Sequence, residues 1–475
     1  MNAPGPLVVG FDLDMTLIDT RPGLMATLRV LAAEHGPDLD VEAMSETLGP
    51  PLDVLLAPHV EAHQVTELVD GFRTHYAEHA IASTPAFDGA HEALAAVRRL
   101  GGRSVVVTGK FTANAALHVE ALGFDIDHRA GEGAVLEQQG ASIFVGDHVH
   151  DVEGARAARA LGVSVLTGGC TADELRAAGT DVVLETLADF PDWLDGHVLA
   201  LRLTALERDL AARGSVLVAF SGGADSAFLL AAAVRAIGPD RVAAATAYSD
   251  SLPMSERSPA RDFAESLGVR LLTPTTHEMD REGYRANTGD RCYFCKAELL
   301  DVLTPLAAEH GLAHVATGTN ADDAVAGFRP GIRAAHERGA VTPLRDAELT
   351  KEQIRAASRA WGLPTWDKPA AACLSSRVAY GIEVSPFRLS RVERAEVAAR
   401  TALSEAGIRV RDLRVRDLGG RASLEVDPAA VEAVASEPTV LAAVLSAGFD
   451  DAELDRAGFR SGAMNERLVE PELFR

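Results

Sequence analysis

Val216-Leu217-Val218-Ala219-Phe220-Ser221-Gly222-Gly223-Ala224-Asp225-Ser226 decides the fold of the second half of this chain. Five consecutive apolar residues, followed by a serine and a glycine pair, read as a short buried strand, and the Ala- and Leu-rich run after them reads as a helix. A strand that passes through glycines into a helix is built to hold an anion. The glycines let the backbone approach closely, and the helix N-terminus supplies aligned N–H groups. Ser221 and Ser226 add hydroxyl donors, and Asp225 is a candidate Mg²⁺ ligand. No Gly-Lys-Ser/Thr is present, which excludes the Walker nucleotide loop.

Working outward, Arg241–Ala245, Arg270–Leu272 and His314–Thr317 read as further buried strands between helical stretches. Gly318-Thr319-Asn320-Ala321-Asp322-Asp323 ends the last of them. Two readings stand for Asp322 and Asp323: groups turned toward the same phosphates or metal, or solvent-facing acids behind a helix cap. The first half alternates in the same way, with strands at Leu7–Phe11, Ser104–Val107, Ser142–Val145, Val163–Leu166 and Asp181–Leu184. Residues 21–82 between its first two strands are mostly helical, the place for an inserted cap. Trp193–Arg213 is a helical connection. Past Pro386 a helix over Arg391–Ala406 precedes two strand-like runs, Arg414–Arg416 and Ser423–Val426.

The expected architecture is α/β, with two Rossmann-like doubly wound parallel-sheet domains and a small α+β domain after them. The boundaries are residues 1–190 with the cap at about 20–85, residues 191–380, and residues 381–475 for a substrate or oligomerisation domain.

The 475 residues carry a formal charge of -24, which repels phosphate backbones and weighs against a nucleic-acid partner. The apolar fraction of 47% supplies packed cores, while the 5% of aromatics fits helix-covered sheets better than an aromatic-rich sandwich. No leader pattern or membrane-length apolar run is visible, so a cytoplasmic protein is expected. Only four lysines stand among many arginines, at 110, 296, 351 and 368. Such a chain keeps lysine where a compact point cation is wanted.

Phe11-Asp12-Leu13-Asp14-Met15-Thr16 sets two carboxylates just beyond a buried strand, where ligands of open α/β sheets bind. One suits a nucleophile at phosphorus and the other a proton donor to the leaving oxygen. Asp147, after another strand, and Asp151 suit Mg²⁺. Thr108 ends its own strand, within reach of a phosphoryl group. This set resembles the haloacid-dehalogenase-type phosphatases over residues 6–190. The resemblance implies Asp12 as nucleophile, Asp14 as acid/base and Thr108 as phosphate ligand, with Mg²⁺ held among Asp12, Asp14, Asp147 and Asp151. The lysine expected before the Gly146-Asp147 strand is missing, since 129–139 contains none and Gly133 stands near its place. Lys110 is the cation able to reach the phosphate instead. A fold kept only for interaction is the competing reading.

Cys292-Tyr293-Phe294-Cys295 and the distant Cys373 form the last constellation. A Cys-x-x-Cys pair alone fits a redox pair, half a zinc site or part of an iron–sulfur site. The run from Ser221 through Arg329-Pro330-Gly331, Thr342-Pro343-Leu344, Leu363–Pro369 and Cys373-Leu374-Ser375-Ser376-Arg377 resembles the ATP-dependent sulfur transferases of nickel-pincer nucleotide synthesis, over residues 200–475. Ser221-Gly222-Gly223-x-Asp225-Ser226 is their PP-loop, of the ATP-pyrophosphatase type. The resemblance implies ATP and Mg²⁺ as cofactors and adenylation of the carboxylates of pyridinium-3,5-biscarboxylate mononucleotide, followed by their conversion to thiocarboxylates. It implies sulfur from a [4Fe-4S] cluster on Cys292, Cys295 and Cys373, or from Cys373 itself. It also implies a homo-oligomer, and other proteins of pincer-cofactor synthesis as partners. Arg377, Arg414 and Arg416 are candidates for the substrate's phosphate or carboxylates. Glu393 and Glu396 lie on one helix, either in that site or as surface acids. Another acceptor, such as a tRNA base, is the alternative for the adenylating half, and the acidic chain weighs against it.

Overall fold

The computed structural model describes residues 7–35, 41, 44, 52–130, 141–325, 329–369 and 372–460. The chain forms two compact units, Met1–Val198 and Leu199–Arg475. The helix Phe190–Arg213 runs from the end of the first into the start of the second.

The first unit is a six-stranded parallel sheet built from β1 (Val8–Phe11), β2 (Arg103–Val107), β3 (His128–Ala130), β4 (Ile143–Gly146), β5 (Leu161–Val165) and β6 (Val182–Leu184), in the order β3-β2-β1-β4-β5-β6. β1 and β4 are buried at every residue, as continuous apolar runs in a parallel sheet must be. The cap between β1 and β2 packs the helices Arg21–His35 and Val65–His79 around Leu28, Leu31, Leu68, Phe72 and Tyr76. β3, which has no apolar signal of its own, is the three-residue edge strand.

The second unit holds β7 (Val216–Ala219), β8 (Val242–Ala245), β9 (Arg270–Leu272) and β10 (His314–Thr317), all parallel, in the order β10-β7-β8-β9. The helix Ala224–Ile237 lies against them with nine buried residues. A smaller sheet of β11 (Leu413–Asp417), β12 (Arg421–Val426) and β13 (Asp451–Leu454) follows. Its first pair is antiparallel and its second parallel.

The helix expected from Arg391 begins earlier, at Pro386, because Ser385 caps it by accepting from the Arg388 N–H and proline suits the first turn. Asp417, wholly buried on β11, holds this helix through Arg388 (2.9 Å) and Arg391 (2.7 Å). Among the described residues no single helix is long and apolar enough to cross a membrane.

Candidate active sites

In the first unit the ends of β1, β2 and β4 bring the predicted residues together. Asp12 follows β1, its N–H bonded to the carbonyl of Val145 on β4. Ligand atoms of Asp12, Asp147 and Asp151 all lie within 4.8 Å of one another, the one such group of three among the described residues. Two glycines make room for it. A Cβ on Gly168 would meet Asp147 Oδ2 at 1.8 Å, and one on Gly146 would meet the Asp151 carboxyl at 2.3 Å. Asp151 is aimed by the backbone N–H groups of Asp147 and His148 (3.1 and 2.9 Å), and Asp147 by the Thr16 hydroxyl (2.8 Å).

Burial and the neighbouring carboxylates push Asp12 well above the usual carboxylate range. Burial, then Asp151, pushes Asp147 up to about 7, and burial pushes Asp151 up to about 6. Crowded, desolvated carboxylates of this kind are the donor set a small divalent cation relieves, so the residues fit Mg²⁺. Asp14, expected beside the metal, lies outside the group of three and accepts from Lys110 Nζ at 2.6 Å. Thr108 is buried, and its hydroxyl accepts from the Lys110 N–H (3.2 Å). Residues 131–140, where Gly133 stands, lie outside the described residues.

In the second unit Gly222 adopts φ +72°, a conformation that favours glycine, in the turn between β7 and its helix. Ser221 and Ser226 hydroxyls bond each other at 3.1 Å, and Ser226 Oγ donates to the Gly223 carbonyl at 3.1 Å. Gly318 after β10 crosses close by, where a Cβ would meet the Ser226 nitrogen at 3.0 Å. Asn320 Nδ2 donates to Asp225 (3.2 Å), whose pKa is raised by burial and then by Asp323. Asp323 faces Lys351 (3.0 Å) and Arg329 (3.5 Å), and Asp322 accepts from the Lys351 backbone N–H (2.7 Å). Reasoning from sequence missed Lys368 here. Its ammonium donates to the Gly222 carbonyl (2.9 Å) and to Glu256 (2.6 Å). The scarcity of lysine was the available signal.

Lys368 stands five residues before Cys373, and the N–H of Leu374, next to that cysteine, donates to the Ser251 carbonyl after β8 (2.9 Å). A second tie runs to the Cys-x-x-Cys helix, Arg291–Glu309. Asn287 Nδ2 donates to the carbonyls of Ala379 and Ile382 (both 2.8 Å), while Arg291 donates to Asn287 Oδ1 and to the Ser375 carbonyl (2.9 Å). These bonds bring together cysteines some eighty residues apart. Burial, then the charges of Cys373, Glu278 and Cys292, raises Cys295. Cys292, exposed as a residue but with a crowded thiol, is raised by burial, with Arg291 opposing. Such thiols yield their protons to a metal rather than to water.

Three thiols are a donor set that suits either zinc or an iron–sulfur cluster, with one position left for another group in both cases. Beside it, a cavity of about 410 Å³ opens at the ends of β8 and β9, lined by Tyr248, Asp250, Arg257, Thr276, His277 and Glu278.

The three predicted arginines are buried and engaged with the protein. Arg377 bonds Glu396 (2.9 Å) and the Cys373 carbonyl (3.0 Å), and Arg416 bonds Glu425 (2.7 Å) and the Ser376 carbonyl (3.1 Å). Arg414 is lowered by burial and then by Arg377, with Arg416 adding to it, so the three form a cationic cluster behind the Cys373 loop. Arg416 Nε has no hydrogen-bond partner. Glu393 accepts from the Met254 N–H at 2.6 Å, joining the helix Pro386–Glu405 to the segment after β8.

Comparison with known proteins agrees with this division. The chain is 38% identical over 256 residues to the uncharacterized protein slr1717 of Synechocystis sp., covering 53% of this chain and 92% of that one. It is 33% identical over 259 residues to the pyridinium-3,5-bisthiocarboxylic acid mononucleotide synthase of Lactiplantibacillus plantarum, covering 54% of this chain and 91% of that one. The chain belongs to the family of this synthase. Its first half is an additional domain: the haloacid dehalogenase-like hydrolase family matches residues 9–127, and a second profile of that type matches 116–190. The probable phosphatase IndB of Dickeya dadantii is 31% identical over 210 residues, covering 39% of this chain and 91% of that one.

Proposed function

We propose that the second unit is an ATP-dependent sulfur transferase that makes thiocarboxylates from the carboxylates of pyridinium-3,5-biscarboxylate mononucleotide, and that the first unit is a Mg²⁺-dependent phosphatase. The observation that supports the first part is that Lys368, five residues before Cys373, bonds the Gly222 carbonyl of the Ser221–Ser226 turn, while Leu374 bonds the Ser251 carbonyl after β8. One site would then serve both adenylation and sulfur delivery.

A bare carboxylate has a poor leaving group, so the substrate carboxylate attacks the α-phosphorus of ATP and pyrophosphate departs. Backbone N–H groups of the turn, with Ser221 and Ser226, bind the phosphates, and Lys368 supplies positive charge beside them. Asp225 and Asp323 would hold Mg²⁺, which neutralises phosphate charge when bound. Sulfur then replaces AMP. A [4Fe-4S] cluster on Cys292, Cys295 and Cys373, with one iron free of cysteine, would supply a transferable sulfide. Without it, the Cys373 sulfur itself is the donor. The Asn287–Arg291 clamp and Arg377 hold Cys373 in place, while Arg377 and Arg416 spend their charge on Glu396 and Glu425.

In the first unit Asp12 attacks phosphorus, Asp14 protonates the leaving oxygen, and Thr108 and Lys110 hold the phosphoryl oxygens. The crowded group of Asp12, Asp147 and Asp151 supports catalysis over a purely structural role.

Substrate-dependent exchange of labelled pyrophosphate into ATP tests the adenylation step alone. Wild type and Cys373→Ala exchange, and Asp225→Asn does not. Exchange that persists in Asp225→Asn, or is absent from wild type, refutes the assignment. Loss of phosphomonoester hydrolysis in Asp12→Asn tests the other half.

A further inference from the structure

One buried polar network in the first unit reaches from the cap into the phosphatase site. Tyr76 lies on the cap helix Val65–His79, 6% exposed among apolar cap residues. Its hydroxyl sits 2.8 Å from His118 Nε2, on the core helix Thr112–Ala121 that follows Thr108 and Lys110. His118 is wholly buried, and its Nδ1 has no hydrogen-bond partner. The Lys110 ammonium lies 5.2 Å from the centre of the Tyr76 ring, interacts with the phenol oxygen, and bonds Asp14 Oδ1 at 2.6 Å.

The protons in this network follow from its surroundings. Burial, then the Lys110 charge, lowers His118 to about 4, so its ring is neutral near pH 7. Burial raises Tyr76, so the phenol keeps its proton. A neutral Nε2 without hydrogen accepts from the phenol, which leaves the phenol's lone pairs to face the ammonium. Lys110 has three protons, one given to Asp14, and it lies over the Tyr76 ring with others to offer the phenol. The network thus runs from Asp14 through Lys110 to Tyr76, which donates to His118. A histidine serving only as packing would be matched by an apolar side chain without an unpaired ring nitrogen.

We propose that Tyr76 is a positioning residue of the phosphatase site: its hydroxyl, turned by His118, holds the Lys110 ammonium over Asp14, so the cap sets the cation that a phosphate monoester meets. The proposal rests on reading the first unit as a phosphatase. It makes Lys110, which leaves the turn after β2, dependent on a residue from a different layer of the unit.

The test uses the full chain with Mg²⁺ and p-nitrophenyl phosphate, comparing wild type, Asp12→Asn, Tyr76→Phe, His118→Gln and His118→Phe, with thermal unfolding of each. Tyr76→Phe is expected to lower kcat by about ten- to a hundredfold, the worth of a hydrogen bond to a charged group, and to lower the melting midpoint as well, because it strands His118 Nε2. His118→Phe follows it. His118→Gln, whose side-chain oxygen still accepts the phenol proton, keeps most of the wild-type kcat. If Asp12→Asn abolishes turnover while Tyr76→Phe keeps the wild-type kcat, the phosphatase reading stands and the positioning role is wrong. A kcat loss in His118→Gln as large as that in His118→Phe also overturns it, in favour of packing. Wild type without turnover that Asp12→Asn abolishes removes the phosphatase reading and the proposal with it.

Discussion

Lys368→Met removes the ammonium that joins the glycine turn to the cysteine loop and keeps the apolar stem. Two losses follow. The Gly222 carbonyl loses a charged donor at 2.9 Å, worth about 1.5–3 kcal/mol. Glu256 loses its partner at 2.6 Å and is left as an unpaired negative charge beside the turn. Two like charges about 4 Å apart repel by roughly 4 kcal/mol at an effective dielectric of 20. Glu256 and Lys368 are each about a quarter exposed, with side-chain accessibilities of 21% and 24%, so solvent cuts that repulsion to about 1–2 kcal/mol. The stranded carboxylate and the lost donor are thus comparable, and together they predict a fall in kcat/KM for ATP of at least thirtyfold, about 2 kcal/mol.

Lys368→Met/Glu256→Gln removes the repulsion but not the lost donor, and recovers about tenfold of the deficit. The assay is pyrophosphate release at varied ATP with saturating substrate, beside the melting midpoint of each variant. A Lys368→Met enzyme with unchanged kcat/KM for ATP, or a double variant no better than the single, would falsify the assignment of Lys368 to the phosphate turn.

Two further outcomes follow from the titrating groups and the cysteines. Asp147 and Asp151 titrate near 7 and 6 in the folded chain, against about 3.9 unfolded, so between pH 4 and 7 the folded state keeps protons that the unfolded state has lost. In chelator, their contribution to the first unit's stability is greatest at low pH and falls as pH rises toward 7. Mg²⁺ competes with those protons, so its stabilising shift in melting is larger at pH 8 than at pH 5.5; a shift that is constant or reversed contradicts the metal site. Protein purified without oxygen should carry about four irons per chain, with acid-labile sulfide, and lose both in Cys292→Ala and Cys373→Ala. No iron in strictly anaerobic protein points instead to Cys373 as the spent sulfur donor, seen as dehydroalanine after turnover.

What could be read from the sequence was what lies at a strand end beside its own motif. Asp12, Asp147, Ser221 and Asp225 each follow a continuous apolar run, and a parallel sheet brings the carboxyl ends of such runs together. The edge strands β3 and β13 were not legible, because His128-Arg129-Ala130 and Asp451-Ala452-Glu453-Leu454 carry too few apolar residues to stand out. Lys368, the Asn287–Arg291 clamp and the Tyr76–His118 bond were equally hidden. Each joins residues with no shared periodicity, 42 to 146 positions apart, and only packing decides which long-range partner a polar side chain meets. The arginines Arg377 and Arg416 were legible as a cationic group but not as one already paired with Glu396 and Glu425.

The account stands most directly on one product analysis. Anaerobically purified protein is incubated with pyridinium-3,5-biscarboxylate mononucleotide, ATP and Mg²⁺, and the nucleotide is weighed by mass spectrometry while AMP is counted. The predicted result is exchange of carboxylate oxygen for sulfur with matching release of AMP, both lost in Asp225→Asn and in Cys373→Ala, the latter still forming the adenylate with release of pyrophosphate. AMP formed with no sulfur-bearing product in wild type, or sulfur transfer that survives Cys373→Ala unchanged, contradicts it.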